Sequence, residues 1–255
     1  ITIFFRKLIK MTEEQLYRKF AKYYDLIYEK IDPQKESEFI KWAVNEYKTC
    51  EGYKLLDMAC GTGRHAETLK DTFEIMGADI NPEMLKIAGQ KLPDVQFTDA
   101  NMKDLNLNQH FDVIICMFSA MNYNTTHEEF NNTLKNFYNH LNDGGVLIFD
   151  YGINKENWIE GLVSVDTVVK DDLKLARICQ SHMEDEIFNA NFVFLIKENG
   201  KLDFEIDEHE LGVFGIEEVI DALAKVGFET FIHSEFTESK WDIVSGERPI
   251  FVGVK

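Results

Sequence analysis

Apolar and polar positions follow two different rhythms along the chain. Through the first 150 residues, short apolar runs alternate with stretches of helical period. Aromatic residues recur at Tyr17, Phe20, Tyr24 and Tyr28, an i, i+3, i+7, i+11 spacing that predicts a helix over residues 13–28 with one aromatic face. That face either packs on the domain or forms a lid whose tyrosines line a cavity. A second helix is predicted over 34–47, turning Phe39, Ile40, Ala43 and Val44 inward. Strands are predicted at 54–57, 73–80, 95–98, 111–118 and 146–150, with the nearly continuous apolar run at 111–118 marking a strand covered on both faces. Asn81-Pro82 opens a helix to Lys91, residues 126–141 read as another, and Asp143-Gly144-Gly145 is a turn. Strands alternating with helices in this way give a doubly wound parallel α/β sheet.

After strand five the rhythm changes. Residues 163–214 lack helical period and show strand-like alternation, as in 174–178 and 192–196, with Asn199-Gly200 as a hairpin turn. A small antiparallel sheet is therefore expected there. The chain resumes with a helix over 216–226, stopped by Gly227, and ends in strands at 228–233 and 250–254. The expected organisation is an N-terminal helical cap (1–48), a cofactor-binding domain (49–153 and 215–255) and an inserted sheet on the substrate side (154–214). Residues 1–10 precede Met11, a candidate natural start, and carry no usable signal.

The stretch that carries chemistry is residues 54–69, K-L-L-D-M-A-C-G-T-G-R-H-A-E-T-L. A short strand ends in Asp57, Gly61 and Gly63 form a tight loop, and a helix opens. Glycines there let a ligand approach the backbone and permit positive φ, while Asp57 contributes negative charge. Gly61-x-Gly63-x-x-Ala66, with Asp79 eighteen residues after Gly61 as a ribose-binding acid, also satisfies the dinucleotide fingerprint.

Composition narrows the ligand classes. The chain has 255 residues, 45% of them hydrophobic, enough for one large domain with an appended subdomain. With 27 Lys+Arg against 45 Asp+Glu, the net charge of −18 opposes nucleic acid and anionic membranes and favours a small-molecule or basic partner. Cys50, Cys60, Cys116 and Cys179 are scattered without metal or redox spacing, which reads as a reducing, cytoplasmic setting with no metal site. No apolar run reaches the roughly 20 residues that span a bilayer.

The D-x-A-C-G-T-G form at 57–63 resembles motif I of the class I S-adenosylmethionine methyltransferases, and the closing strand pair resembles their antiparallel hairpin. The resemblance implies a Rossmann-like seven-stranded fold with the inserted sheet. A cofactor with an ammonium, a sulfonium and no phosphate suits an acidic strand end better than a pyrophosphate does. Further stretches, C-M-F-S-A-M-N-Y at 116–123, A-R-I at 176–178 and S-G-E-R-P-I-F at 245–251, resemble the nucleotide-linked amino-sugar N,N-dimethyltransferases, from about Tyr17 to the C-terminus. Tyr123 stands where some members carry His, and Asp150-Tyr151-Gly152-Ile153 replaces a tryptophan-rich segment.

The resemblance implies that backbone groups at Ala59, Gly61, Gly63 and Cys116 hold the methionine portion, with Asp57 polarising the loop. Asp79 accepts from the ribose hydroxyls, and Ile80 and Met102 sandwich the adenine. Asp99 and Asn101 compete for the adenine edge, with Asn101 favoured. Tyr17, Tyr123 and Tyr151 enclose an acceptor amine, His209 relays its proton, and Arg177 and Arg248, two of five arginines, form a diphosphate clamp. His209 between Glu208 and Glu210 also reads as a structural histidine. An NAD(P)-dependent oxidoreductase and a non-catalytic S-adenosylmethionine-binding protein are the alternatives. No Tyr-x-x-x-Lys or hydride-handling His pair follows strand four.

Overall fold

The computed structural model describes residues 15–255. In chain order the strands are β1 (Lys54–Met58), β2 (Glu74–Asp79), β3 (Gln96–Asp99), β4 (Phe111–Cys116), β5 (Leu141–Asp150) and β6 (Val163–Lys170). They continue as β7 (Leu173–Glu184), β8 (Ile187–Glu198), β9 (Lys201–Gly212), β10 (Glu229–Ser234) and β11 (Pro249–Val254). The helices are α1 (Ala21–Ile27), α2 (Pro33–Tyr47), α3 (Arg64–Leu69), α4 (Pro82–Lys91), α5 (His127–His140) and α6 (Ile216–Val226).

Seven strands form a central sheet in the order β3-β2-β1-β4-β5-β11-β10. The first five are parallel, and β11 pairs antiparallel with both β5 and β10. All six residues of β4 are buried, as a strand covered on both faces requires. On one face Phe39, Ile40 and Ala43 of α2 and Leu69 of α3 pack on Leu55, Val113, Ile115 and Ile148. On the other, Phe130, Leu134 and Phe137 of α5 and Val219 and Leu223 of α6 cover Leu56, Ile114, Leu147 and Phe251. Cap chemistry sets the helix ends. The Asp32 carboxylate accepts from the Gln34 N–H ahead of Pro33, Thr126 accepts from Glu129 N–H, and Gly227 at φ 115° stops α6.

The inserted segment forms its own antiparallel sheet, β6-β7-β8-β9, with Asn199 and Gly200 both at positive φ in the β8–β9 turn. Its inner face is covered by the N-terminal segment, where Leu16, Phe20, Tyr23 and Ile27 pack on Leu173, Leu175, Phe194 and Ile196. The two elements grouped above as one helical cap therefore separate: α1 lies on the inserted sheet and α2 on the central sheet.

Other boundaries depart from expectation for identifiable reasons. Within the described residues, the helix expected over 13–28 is a 3-10 turn at Gln15–Tyr17 followed by α1; residues 13 and 14 lie outside them. The buried Asp207 carboxylate takes the backbone N–H groups of Gln15 and Leu16, at 2.9 and 2.8 Å, and fixes that turn. Asn81 stands at the N-cap of α4, but its side chain donates to Asp79 and does not cap the helix. β4 ends at Cys116 because Phe118 and Ser119 take positive φ (64° and 58°), with the Ser119 N–H held by Asp150. β5 starts at Leu141 and runs through the glycine turn.

Tyr151, expected above to face the acceptor, is fully buried. Its hydroxyl donates to Gly212 O (3.0 Å) and accepts from Phe214 N–H (3.1 Å), tying the end of β9 to the end of β5. Its phenol is a structural tie, bridging two backbone groups in the core. Tyr151→Phe should destabilise the chain by roughly 1–3 kcal/mol in urea unfolding, since it leaves the buried Phe214 N–H unpaired while Gly212 O keeps the Asn122 amide. S-adenosylmethionine affinity should remain within about twofold of wild type.

Candidate active site

The loop after β1 holds three residues at positive φ: Ala59 (58°), Gly61 (53°) and Gly63 (76°). A Cβ added at Gly61 would meet nothing within 4 Å, so this position opens onto free space. At Gly63 a Cβ would press on Leu92, Ala88 and Phe97. Gly63 thus seats the loop on α4 and β3, while Gly61 leaves room for a ligand.

Three carboxylates sit near the carboxyl ends of β1, β2 and β5. The Asp79 Oδ2 accepts from the Gly61 N–H at 2.8 Å, and its Oδ1 accepts from the Asn81 backbone and side chain at 2.9 and 3.3 Å. Burial pushes the Asp79 pKa up, and these donors pull it partly back. Asp150 is buried against Ser119 and Arg248. Asp57 is different, because its Oδ2 is buried with no hydrogen-bond partner. Burial pushes its pKa from 3.8 to about 6, opposed by the neighbouring His65 and reinforced by Asp79. His65 pairs with Glu36 at 2.6 Å. Burial disfavours its protonation, but Glu36 and Asp57 outweigh that and raise its pKa.

A cavity of about 550 Å³ opens over these strand ends. One wall carries Ala59, Gly61, Asp79, Ile80, Asn101 and Met102. Ile80 is 53% exposed, an apolar surface suited to a flat ring. Asn101 Oδ1 caps a short turn by accepting from the Lys103 N–H at 3.0 Å, and Asn101, unlike Asp99, faces the cavity. The opposite wall is aromatic, with Tyr17, Tyr24, Phe118 and Tyr123. Behind it runs a chain of hydrogen bonds: Tyr17 OH to Tyr123 OH at 2.7 Å, Tyr123 OH to His209 Nδ1 at 2.7 Å, and His209 Nε2 to Asp207 Oδ2 at 3.0 Å.

Several expected site residues fall elsewhere. Asp57, Gly63 and Cys116 lie beneath or beside the cavity, where the neighbouring Met58, Met117 and Phe118 form its wall. Arg177 does not line it: its guanidinium bonds Asp166 and the Tyr28 hydroxyl and sits over the Tyr28 and Phe192 rings. Arg248 pairs with Asp150 at 3.3 Å and is likewise absent from the lining. The physical reason is shared. In a chain with 45 acids, buried or half-buried carboxylates take up the guanidinium groups. The positive side chains on the wall are Arg18 and Lys103, neither of which sequence reasoning selected. Asp207 was also missed, although Asp207 and His209 alternate on one face of a strand, a spacing that signals contact between them.

These groups suit S-adenosylmethionine and disfavour a dinucleotide. In a dinucleotide loop the glycine N–H groups turn to pyrophosphate; here the Gly61 N–H is committed to a carboxylate. The buried, unpartnered Asp57 oxygen adds negative potential under the loop, matching a cationic ligand. A seven-stranded sheet with acid-rich strand ends, closed by an antiparallel hairpin, is the Rossmann-like fold of the class I S-adenosylmethionine methyltransferases, and this chain has that fold. The methyltransferase domain family matches residues 55–145.

Within that class, the chain is 33% identical over 155 residues to a dTDP-3-amino-3,4,6-trideoxy-α-D-glucopyranose N,N-dimethyltransferase of Streptomyces venezuelae, covering 60% of this chain and 65% of that protein. It is 31% identical over 143 residues to a dTDP-3-amino-3,6-dideoxy-α-D-glucopyranose N,N-dimethyltransferase of Streptomyces fradiae, 56% of each chain. Both matches span less than two thirds of the relative's length. The crystal structure of Streptomyces venezuelae DesVI superposes with a TM-score of 0.79 at 29% identity, covering 92% of this chain and 98% of that one.

The unpartnered Asp57 has a measurable cost. Its folded-state pKa of about 6 exceeds the ordinary 3.8, so the native state holds the proton more tightly than the unfolded chain. The stability this contributes is present in acid and is lost as pH rises from about 4 through 6; the full difference is about 3 kcal/mol. Asp57→Asn should therefore stabilise the cofactor-free protein at pH 8 by about 2–3 kcal/mol in urea unfolding, an advantage that vanishes near pH 4. It should weaken S-adenosylmethionine binding.

Proposed function

We propose that the chain transfers a methyl group from S-adenosylmethionine to an amine on a small molecule, and that this amine belongs to a nucleotide-linked amino sugar. The observation that carries the reading is one continuous cavity with Asp79, Gly61 and Ile80 on one wall and the Tyr17–Tyr123 pair, backed by His209, on the other. The activities of the two Streptomyces relatives support the amino-sugar part. The lining cations are Arg18 and Lys103, and a diphosphate would have to draw Lys103 from Glu129, with which it pairs at 2.8 Å. A net charge of −18 supports a small molecule over nucleic acid. Four free cysteines and the absence, among the described residues, of a helix long and apolar enough to cross a membrane are compatible with a cytoplasmic enzyme.

In this reading Asp79 takes the ribose hydroxyls, Ile80 and Met102 flank the adenine, and Asn101 meets its edge. Backbone groups at Ala59, Gly61 and the end of β4 at Cys116 hold the methionine portion, with Asp57 beneath. When bound, the cofactor supplies an electrophilic methyl on a sulfonium, so alignment and a neutral amine are what the protein must provide. Tyr17, Tyr24 and Phe118 exclude water around the amine, and their ring faces tolerate the alkylammonium product. The amine proton leaves through the Tyr17 and Tyr123 hydroxyls to His209.

Incubation with S-adenosylmethionine and dTDP-3-amino-3,4,6-trideoxy-α-D-glucopyranose, read by mass spectrometry, should give N-methylated sugar. Tyr17→Phe should lower kcat about tenfold or more while leaving cofactor affinity intact. Turnover of hydroxyl acceptors with none of any amine would overturn the proposal.

A further inference from the structure

We propose that Asp207 is a positioning residue that sets the direction of the Tyr17–Tyr123–His209 proton chain and makes it conditional on the N-terminal segment being seated. The inference rests on that chain serving the acceptor side of the methyltransferase site.

Asp207 is fully buried, and its carboxylate meets three groups. Oδ1 accepts from the Gln15 N–H at 2.9 Å, and Oδ2 accepts from the Leu16 N–H at 2.8 Å and faces His209 Nε2 at 3.0 Å. A carboxylate can only accept, so His209 carries its proton on Nε2 and, as a neutral imidazole, presents a lone pair at Nδ1. The Tyr123 hydroxyl at 2.7 Å then donates into Nδ1, and its oxygen accepts from the Tyr17 hydroxyl. Every donor in the row then points from Tyr17 towards Asp207, the direction in which a proton taken from the amine would travel. Reversal of the imidazole would reverse the row and turn a hydroxyl proton toward the amine. A proton moved down the row ends as an imidazolium against the Asp207 carboxylate.

The same carboxylate holds the chain segment immediately before Tyr17. Losing the carboxylate takes the acceptor from two successive backbone N–H groups in the segment that carries the first hydroxyl of the row. The imidazole itself is held by rings: Phe192 and Tyr17 stand edge-on to it at 5.1 and 5.4 Å. Its orientation therefore persists when the hydrogen-bond partner changes, and only the tautomer responds. One carboxylate thus couples the seating of a lid residue to the polarity of the relay.

The test uses the full chain without substrate. Long-range ¹H–¹⁵N correlation spectra should show His209 protonated at Nε2, assigned by its loss in His209→Gln. In Asp207→Asn, with the amide oxygen on the Gln15 N–H, the NH₂ takes the place of Oδ2 against His209 Nε2, so the proton should move to Nδ1 and the Leu16 N–H should lose its acceptor. In Asp207→Ala, amide exchange at Gln15 and Leu16 should accelerate at least tenfold. Tyr123→Phe removes the middle hydroxyl but not the carboxylate, so it should retain both the Nε2 proton and the slow exchange, giving a readout independent of whether the Asp207 variants fold. With the dTDP-amino sugar, Asp207→Asn should lose tenfold or more in kcat with KM for S-adenosylmethionine unchanged. An Nδ1 proton on His209 in the wild type, rapid exchange at Gln15 and Leu16 in Tyr123→Phe, or an unchanged kcat in Asp207→Asn would overturn the inference. Failure of all amines to react while tautomer and exchange behave as stated would strike the functional reading instead.

Discussion

Burying carboxylates at the carboxyl ends of parallel strands is the constraint around which this molecule is arranged. Asp57, Asp79 and Asp150 lie near the ends of β1, β2 and β5, all within the core of a chain already carrying 18 net negative charges. Each buried acid must find donors or bear a desolvation cost. Asp79 takes donors from the glycine loop and the start of α4, which fixes the loop's shape. Asp150 takes the Ser119 N–H and Arg248, which bends the chain after β4 into positive φ and carries Phe118 to the cavity wall. Asp57 has no donor for one oxygen, which leaves uncompensated negative potential beneath the glycine loop.

The acceptor side answers to the same rule with a different solution. Asp207 is as buried as the other three, but its donors are two backbone N–H groups and an imidazole. Satisfying it fixes the turn at Gln15–Tyr17 against the inserted sheet and seats Tyr17 beside Tyr123, which comes from the segment after β4 of the central sheet. The cavity is therefore lined from both sheets, which the buried Tyr151 hydroxyl ties together between the ends of β5 and β9.

The sheet was legible in the sequence because strands buried on both faces and amphipathic helices write their periods directly into the residue order. β4, the β8–β9 turn and the α6 stop at Gly227 are examples, and the glycine loop could be located from Asp57, Gly61 and Gly63. Tertiary partners were less visible. Nothing local in Gln15–Tyr17 states that Asp207, some 190 residues on, will take its N–H groups. Arg177 and Arg248 looked like anion ligands because cations are scarce here, yet scarcity is also why Asp166 and Asp150 claim them. Tyr151 had the right residue type at a strand end, but the next segment packs over it and its hydroxyl serves the backbone. Charge and residue type signal chemistry; which partner answers is decided by packing between distant segments.

The central claim is that the acid-rich crevice at Gly61 and Asp79 takes S-adenosylmethionine and not a dinucleotide. Calorimetric titration of wild type and Asp79→Ala with S-adenosylmethionine and with NAD tests it most directly. The account predicts saturable S-adenosylmethionine binding, weakened by roughly 1.5–3 kcal/mol in Asp79→Ala, and no NAD binding to either protein. Tight NAD binding, or S-adenosylmethionine affinity indifferent to the loss of Asp79, would contradict it.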